Sequence, residues 1–251
     1  MIPGAPPSPR ISAIVPALDE ALSIQRVVEG LRAQPMLASG EVIVVDNGST
    51  DATAEFARKA GARIVREERR GYGYACLAGV LAAEDTDVIV LLDGDDADDP
   101  DDLPRVLESI VKDDADLVVG SRALGKRDHG SMTWQQIVGN KLASVLMRTI
   151  YGVRVSDVGP FRAIRRENLL ALDMQEMTYG WPSEMIVKAA RAGYRYREVP
   201  VSYRRRIGVS KVGDTIMNSL KVGWYIISTI LRYSRWKPSK KTERPVAEVR
   251  R

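Results

Sequence analysis

Asp87-Val88-Ile89-Val90-Leu91-Leu92-Asp93-Gly94-Asp95-Asp96-Ala97-Asp98-Asp99-Pro100 decides the fold of this chain. An apolar run of strand length breaks off into carboxylates. Strands buried on both faces of a parallel sheet read as unbroken apolar runs, and open α/β sheets bind ligands beyond the carboxyl ends of their strands. Asp93 and Asp95 stand two residues apart at that end, and Gly94 puts no side chain between them. Carboxylates so close repel one another, so a cation is expected there. Oxygen-only ligation suits Mg²⁺ or Mn²⁺. These residues point to a divalent ion holding a diphosphate.

The neighbouring segments extend this pattern in both directions. Residues 10–17 read as a strand ended by Pro16, residues 20–33 as a helix, and 41–46 as a second buried strand. The turn Asn47-Gly48-Ser49-Thr50-Asp51 follows, with Ser49 or Thr50 available to cap a helix over 51–60. A weaker strand at 63–66 precedes a helix over 71–83, entered through Gly71 and Gly73. Beyond the acidic loop come a helix over 101–112 and a strand over 116–120. Strands alternating with helices predict an α/β/α three-layer sandwich with a mostly parallel sheet. After residue 122 the alternation loosens. Helices are expected over 133–150 and 181–192, with an extended segment at 157–166. A strand over 196–204 contains Pro200, which suits a sheet edge or a bulge.

Composition narrows the class. The chain has 251 residues, 45% hydrophobic and 28% charged, enough for a substantial core with a soluble surface. A single cysteine, Cys76, excludes an internal disulfide and suits a reducing cytosol. A single histidine, His129, excludes a histidine-rich metal site. Residues 1–9 read as a Pro-rich disordered leader without the apolar region of a signal peptide. The net charge of +4 hides an asymmetry, since residues 85–116 hold 13 of the 33 acidic residues against two basic ones. Basic residues gather late, at 195–211 and in the tail 237–251, which reads as disordered. The core lacks a basic face, so nucleic acid is not an expected partner.

Spacing separates the competing readings of the acidic loop. A calcium loop starting at Asp93 needs Gly at its sixth position and Glu at its twelfth; Asp98 and Pro104 stand there. A phosphohydrolase of the haloacid dehalogenase type, with Asp93 as nucleophile, matches as far as Asp95 but meets Ala97 where Thr or Val is usual. Gly71-Tyr72-Gly73 begins like a dinucleotide fingerprint and fails at Cys76. Asp98, Asp99, Asp101 and Asp102 read as loop and helix-cap residues.

Four motifs stand in order: Val15-Pro16-Ala17-Leu18-Asp19-Glu20, Val44-Val45-Asp46-Asn47-Gly48-Ser49-Thr50-Asp51, Asp93-Gly94-Asp95 and Gly120-Ser121-Arg122. Together they resemble the family 2 glycosyltransferases of GT-A fold. Ser156-Asp157-Val158-Gly159-Pro160-Phe161-Arg162, Glu184 to Ala189, Glu198-Val199-Pro200-Val201 and Arg204 to Lys211 are similar to the branch that glycosylates polyprenyl phosphates, dolichyl-phosphate mannose synthase among them. Gly159-Pro160-Phe161 stands where that branch has Ser-Gly-Phe. The resemblance covers residues 10–215 and implies a catalytic domain over 10–212, with a nucleotide-sugar half (10–122) and an acceptor half (123–212).

The resemblance also implies roles. Pro16, Leu18 and Glu20 line the nucleoside pocket, and Asp46 bonds the base. Gly71, Gly73 and Gly94 allow close approach of the donor, beside Arg122. Asp93 and Asp95 face the ribose and the metal, Mg²⁺ or Mn²⁺, with Asp95 ligating it on the donor diphosphate. Asp157 and Glu184 are the further acidic candidates for catalysis, each with a competing reading as half of a buried ion pair with Arg162 or Lys188. Arg162, Arg204, Arg206, Ser210 and Lys211 hold phosphate or acceptor. The implied donors are UDP-glucose and GDP-mannose, the implied acceptor is a polyprenyl phosphate, and assembly into a homo-oligomer is left open. A soluble acceptor, or a nucleotide-sugar-binding module without turnover, fits the same residues.

Residues 213–236 form an amphipathic helix, with Ile216, Leu220, Trp224, Ile227 and Leu231 in one stripe. The helix either packs on the core or lies on a membrane surface, where Trp224, Trp236 and the basic tail favour anionic lipid. Its longest charge-free run, Val222 to Leu231, is far short of the ~20 residues that span a bilayer. The expected location is the cytoplasm, peripheral on the inner face of the cell membrane.

Overall fold

A computed structural model describes residues 9–208 and 216–239. The leader (but for its last residue), Ser210 and Lys211, and the tail beyond Ser239 lie outside the described residues. The sheet has seven strands: β1 (Ile11–Ala17), β2 (Glu41–Asp46), β3 (Arg63–Arg66), β4 (Val88–Leu91), β5 (Leu117–Ser121), β6 (Arg162–Arg165) and β7 (Tyr196–Pro200). They lie in the order β3-β2-β1-β4-β6-β5-β7. β6 runs antiparallel to both neighbours and every other pair is parallel.

Among the described residues there are eight α-helices: α1 (Ile24–Arg32), α2 (Thr53–Lys59), α3 (Tyr72–Ala82), α4 (Leu103–Val111), α5 (Trp134–Tyr151), α6 (Arg166–Ala171), α7 (Trp181–Arg191) and α8 (Ile216–Arg232). Alternate residues of each central strand feed two separate cores. Val88, Val90 and Leu92 meet α1 and α4 on one face, with Ile24, Val28 and Leu107. Ile89 and Leu91 meet α3 and α7 on the other, with Cys76, Trp181 and Met185. Both faces are dry, which is why the strand reads as an unbroken apolar run. Each such Val, Leu or Ile contributes roughly 1.5–3 kcal/mol by leaving water.

The register aligns the strand ends. Ala17 pairs with Asp46, and Ile14 with Leu91, so β1, β2 and β4 deliver their carboxyl ends to one edge. Pro16 does not end its strand; it pairs with Val45 inside β1, beyond the last β4 partner at Ile14, where its missing N–H costs no ladder bond. The N-cap of α2 is Ala52, without a side-chain cap; Asp51, just before it, accepts from Thr53 N at 3.0 Å, and neither Ser49 nor Thr50 caps the helix. Those two residues turn to Asp19 instead. Pro200 closes the edge strand β7, as a proline in a sheet should.

α5 begins on a full capping box: Thr133 accepts from Gln136 N, and the Gln136 side chain accepts from Thr133 N. α5 and α8 pack side by side with their C-terminal ends together, where the Tyr151 hydroxyl donates to Ile230 O. Ile230 and Tyr233 are buried against the core, while Trp224 and Leu231 are exposed. Of the apolar stripe expected for α8, Ile227 packs against the core while Trp224 and Leu231 face outward.

Candidate active site

A cavity of about 520 Å³ opens at the carboxyl ends of β1, β2 and β4. Pro16, Leu18 and Glu20 line it from the β1 end, Asn47 and Gly71 from the β2 side, and Asp93, Gly94 and Asp95 from beyond β4. Arg122 enters from the β5 end, and Arg206 from the segment after β7. Strand register therefore gathers most of the nucleotide-site residues expected from sequence.

The acidic pair sits at the centre. Asp93 Oδ1 is buried without a hydrogen-bond partner. Burial, and then the charge of Asp95, push the Asp93 carboxyl up to about 7. Asp95 is 6% exposed, and its Oδ1 accepts from Ala97 N at 3.0 Å. Its Oδ2 lies 3.5 Å from the Arg206 guanidinium, which also donates to Glu20 Oε1 at 3.0 Å. Two hard carboxylates with an orphaned oxygen fit a divalent ion that takes its remaining ligands from phosphate and water. Among the described residues no third His, Cys, Asp or Glu completes a ligand cluster with them.

The segment after β7 is zipped onto the acidic loop. Arg204 N donates to Ala97 O at 2.8 Å and Ile207 N to Asp95 O at 3.0 Å. The Arg204 guanidinium pairs with Asp99 on the outside and does not line the cavity. Asp98 is not the solvated cap residue its neighbours suggest. It is 2% exposed, neither of its oxygens has a hydrogen-bond partner, and its backbone bridges to Tyr203. Burial and the charges of Asp93 and Asp95 hold its carboxyl well above the usual range.

Several sequence-predicted residues sit elsewhere. Asp46 is buried, accepts from Ser49 N at 2.8 Å and does not line the cavity; its neighbour Asn47 does. Asn47 takes Gly71 N at 2.9 Å and donates to Glu67 O and Arg69 O, which fixes the loop into α3. Gly71 and Gly73 are demanded by packing: a Cβ would come within 2.3 Å of Met177 O at the first and 2.4 Å of Glu176 O at the second. Gly73 does not reach the cavity.

Asp157 pairs with Arg122, not Arg162. Its Oδ2 accepts from Arg122 N and Nε, and its Oδ1 from Arg122 Nη2 and Asn140 Nδ2, all within 2.6–2.9 Å. Burial raises the Asp157 carboxyl, but the Arg122 charge and its hydrogen bonds overturn that and leave it below its ordinary value. The Arg122 guanidinium stacks 4.9 Å from the Tyr203 ring. Arg162 is fully buried and donates to Pro160 O and Pro182 O, out of reach of a ligand in the cavity. Glu184 is likewise turned away. It pairs with Lys188 at 2.7 Å and accepts from Gln175 N and Glu176 N at 2.8 and 2.7 Å. Burial of those two charges on one turn of α7 requires each to be satisfied by the other and by the backbone.

The wall of the cavity opposite β1 was not legible in the sequence. Gln136, Gly139 and Asn140 of α5 line it together with Lys221, Val222 and Tyr225 of α8. Tyr179, from the loop before α7, joins them. Periodicity marks both helices as amphipathic but does not say that they border one site.

The sequence and the fold both match known proteins. Residues 12–172 match the model of glycosyl transferase family 2. An uncharacterised glycosyltransferase of Mycobacterium tuberculosis is 38% identical over 213 residues, covering 84% of this chain and 93% of that protein. The chain belongs to glycosyl transferase family 2. It is a glycosyltransferase, and the phosphohydrolase reading of Asp93 gives way to this match. An undecaprenyl-phosphate mannosyltransferase of Micrococcus luteus is 30% identical over 234 residues, covering 85% of this chain and 94% of that one. Among solved structures, glucosyl-3-phosphoglycerate synthase from Mycobacterium tuberculosis in complex with Mn²⁺, UDP-glucose and phosphoglyceric acid has the same fold. Its TM-score is 0.72 at 23% identity, over 92% of this chain and 81% of that one. The family 2 enzyme described here has the GT-A architecture expected from its sequence.

Proposed function

We propose that this enzyme moves a hexose from a nucleotide-diphospho-sugar to a polyprenyl phosphate at the cytoplasmic face of a membrane, by a metal-dependent inverting displacement. One observation carries the acceptor class: the spare carboxylates are not free. Both oxygens of Asp157 are filled by Arg122 and Asn140, and Glu184 is buried on Lys188. A hydroxyl acceptor needs a general base. An acceptor phosphate is already ionised and needs cations instead. The cavity offers Arg122, Arg206 and Lys221.

In this reading Glu20, Pro16 and Leu18 hold the nucleoside, and Asp93 and Asp95 hold Mg²⁺ or Mn²⁺. When bound, that ion stabilises charge developing on the leaving diphosphate. Arg206 leaves Glu20 and Asp95 to meet phosphate oxygens, and Arg122, fixed by Asp157, presents a preorganised guanidinium toward the same charge. Asp157 and Glu184 act as positioning and structural residues respectively. Arg204 steadies the acidic loop through Asp99.

The membrane contact rests on α5 and α8. Neither helix contains an Asp or Glu, in a chain with 33 of them. α5 exposes Trp134, Val138, Leu142 and Val145 along one face, and α8 exposes Met217, Trp224 and Leu231. Lys141, Arg148, Lys221 and Arg232 supply positive charge. Apolar stripes with basic, acid-free flanks are drawn to anionic lipid surfaces. No helix among the described residues is long and apolar enough to cross a membrane. The Micrococcus relative, named for undecaprenyl phosphate, supports the same acceptor class.

The test is incubation with Mn²⁺, a panel of nucleotide sugars and a polyprenyl phosphate in anionic vesicles. Formation of a glycosyl lipid phosphate is expected. Transfer to a soluble hydroxyl compound, with none to the lipid, would replace this acceptor with the kind of small molecule bound by the structural neighbour.

A further inference from the structure

The segment between α6 and α7 is fastened to two helices of the site. Gly73 N of α3 donates to Met177 O at 3.1 Å. The residue before it, Glu176, is 6% exposed. Its Oε1 accepts from Thr178 N at 3.1 Å and from the Thr178 hydroxyl. Its Oε2 takes the Thr229 hydroxyl and the Arg232 guanidinium of α8, each at 3.5 Å. Those two residues stand three apart, on one face of that helix. Gly180 closes the clasp, since a Cβ there would come within 2.3 Å of Thr229 Oγ1 and 2.6 Å of Glu176 Cγ. A carboxylate buried this far needs its oxygens filled, so Glu176 ties the segment to α8 in one arrangement.

Tyr179 is the side chain that this clasp delivers into the cavity. Its two chain neighbours, Thr178 and Gly180, are the ones held against Glu176 and Thr229. Burial, then the nearby Asp93 carboxylate and Tyr225, push the Tyr179 hydroxyl above its ordinary range, which sets it beside the acidic pair and the α8 wall. Pro16, Leu18 and Glu20 come from the β1 end. A donor with its nucleoside there and its diphosphate at Asp93 and Asp95 carries its hexose onward, to the part of the cavity that Tyr179 and Tyr225 line. A hexose ring presents C–H groups on its faces and hydroxyls at its rim. The negative face of an aromatic ring suits the first, and a phenol oxygen the second.

We propose that the transferred hexose rests against Tyr179, and that Glu176 is the positioning residue that holds Tyr179 there by way of α8. The inference rests on the nucleotide-sugar reading above and is independent of the acceptor. It makes the sugar contact a property of two segments far apart in sequence, because whatever shifts Thr229 shifts the segment that carries Tyr179.

Calorimetric titration in the presence of Mn²⁺ compares each sugar nucleotide with its bare nucleotide: UDP-glucose with UDP, and GDP-mannose with GDP. Tyr179→Ala is expected to weaken the sugar nucleotide about tenfold and to leave the bare nucleotide within about twofold of wild type. Glu176→Gln is expected to weaken the sugar nucleotide about threefold, and to add nothing in the Tyr179→Ala background, because residues of one contact chain are not additive. Losses that add in the double variant overturn the positioning role. Unchanged sugar-nucleotide affinity in Tyr179→Ala, or an equal loss for the bare nucleotide, overturns the hexose contact. Should Glu176→Gln not fold, Thr229→Val loosens the clasp from the α8 side, and the same cycle with Tyr179→Ala gives the answer. A wild-type protein that binds neither sugar nucleotide defeats the donor reading and this inference with it, a result told apart from the others because it needs no variant.

Discussion

Asp157 holds Arg122 by three hydrogen bonds at once, from its backbone N, its Nε and its Nη2. A carboxylate so filled has no lone pair directed at an acceptor. Asp157→Asn breaks a buried pair and leaves Arg122 uncompensated, which costs about 3–5 kcal/mol in stability. Chemical denaturation measures that loss. The pH–rate profile separates positioning from base catalysis: the variant is expected to keep the shape of the wild-type acidic limb at reduced kcat. Disappearance of that limb identifies Asp157 as the base.

Glu184 and Lys188 form the second buried pair, 2.7 Å apart on one turn of α7. Glu184→Gln is expected to lower stability by about 3 kcal/mol while leaving kcat per folded molecule within about twofold of wild type. The double change Glu184→Gln, Lys188→Met restores most of the stability, because it removes both buried charges together. A large fall in kcat with unchanged Tm returns Glu184 to the catalytic set.

In the proposed reading, where Asp93 holds the metal, its carboxyl sets the pH dependence of metal use. With its carboxyl pushed up to about 7 by burial and by Asp95, the metal-free site carries a proton at pH 6 that a divalent ion must expel. Mn²⁺ affinity with nucleotide present is expected to climb between pH 6 and 7 and to level off above pH 7, as read by electron paramagnetic resonance. The stability sign is the reverse. The native state binds this proton more tightly than the unfolded chain, so in the absence of metal Asp93 makes stability fall as pH rises from about 4 to 7. Asp93→Asn removes that slope. Asp95→Ala is expected to abolish transfer together with its metal dependence; intact, metal-dependent transfer refutes the assignment.

Gly73 tests a packing claim. Its absent Cβ lies within 2.4 Å of Glu176 O, a backbone atom with little freedom to move. Gly73→Ala is expected to destabilise by about 1–3 kcal/mol and to reduce transfer only in proportion to unfolded protein. A folded variant with selectively weakened nucleotide binding instead places this glycine against the donor.

Vesicle co-sedimentation addresses α5 and α8. Wild-type protein is expected to partition onto anionic vesicles and to release as salt rises. Trp134→Ser with Trp224→Ser is expected to cut partitioning about tenfold or more, since each buried tryptophan contributes well over 1 kcal/mol. Equal binding by wild type and variant excludes these faces from the membrane contact.

That Pro16, Leu18, Glu20, Asp93 and Asp95 meet at one sheet edge was legible because local signals coincide there. The apolar run Val88–Leu92, ending at Asp93, states strand, burial and ligand edge together, and parallel register brings Pro16 and Asp93 to the same edge. Side-chain partners were less legible, because they depend on contacts far apart in sequence. Arg122 and Asp157 are 35 residues apart, so the choice of Arg162 as partner rested on proximity along the chain. Asp98 reads in sequence like Asp99 and Asp101, yet it is 2% exposed and bridges to Tyr203, far along the chain. The glycines at 71 and 73 carried a correct signal of close approach, but the backbone that approaches belongs to residues 176–177.

Pro16 and Tyr225 line one cavity although they lie near opposite ends of the described chain. The strands that present Asp93 and Asp95 precede α8 in the chain, and α8 builds part of the cavity wall. Without that helix the acidic edge stands open to water, with no enclosed chamber in which a sugar could be transferred. Enclosure by this wall needs α8, so a chain cut before Ile216 would retain the carboxylates and lack that side of the cavity.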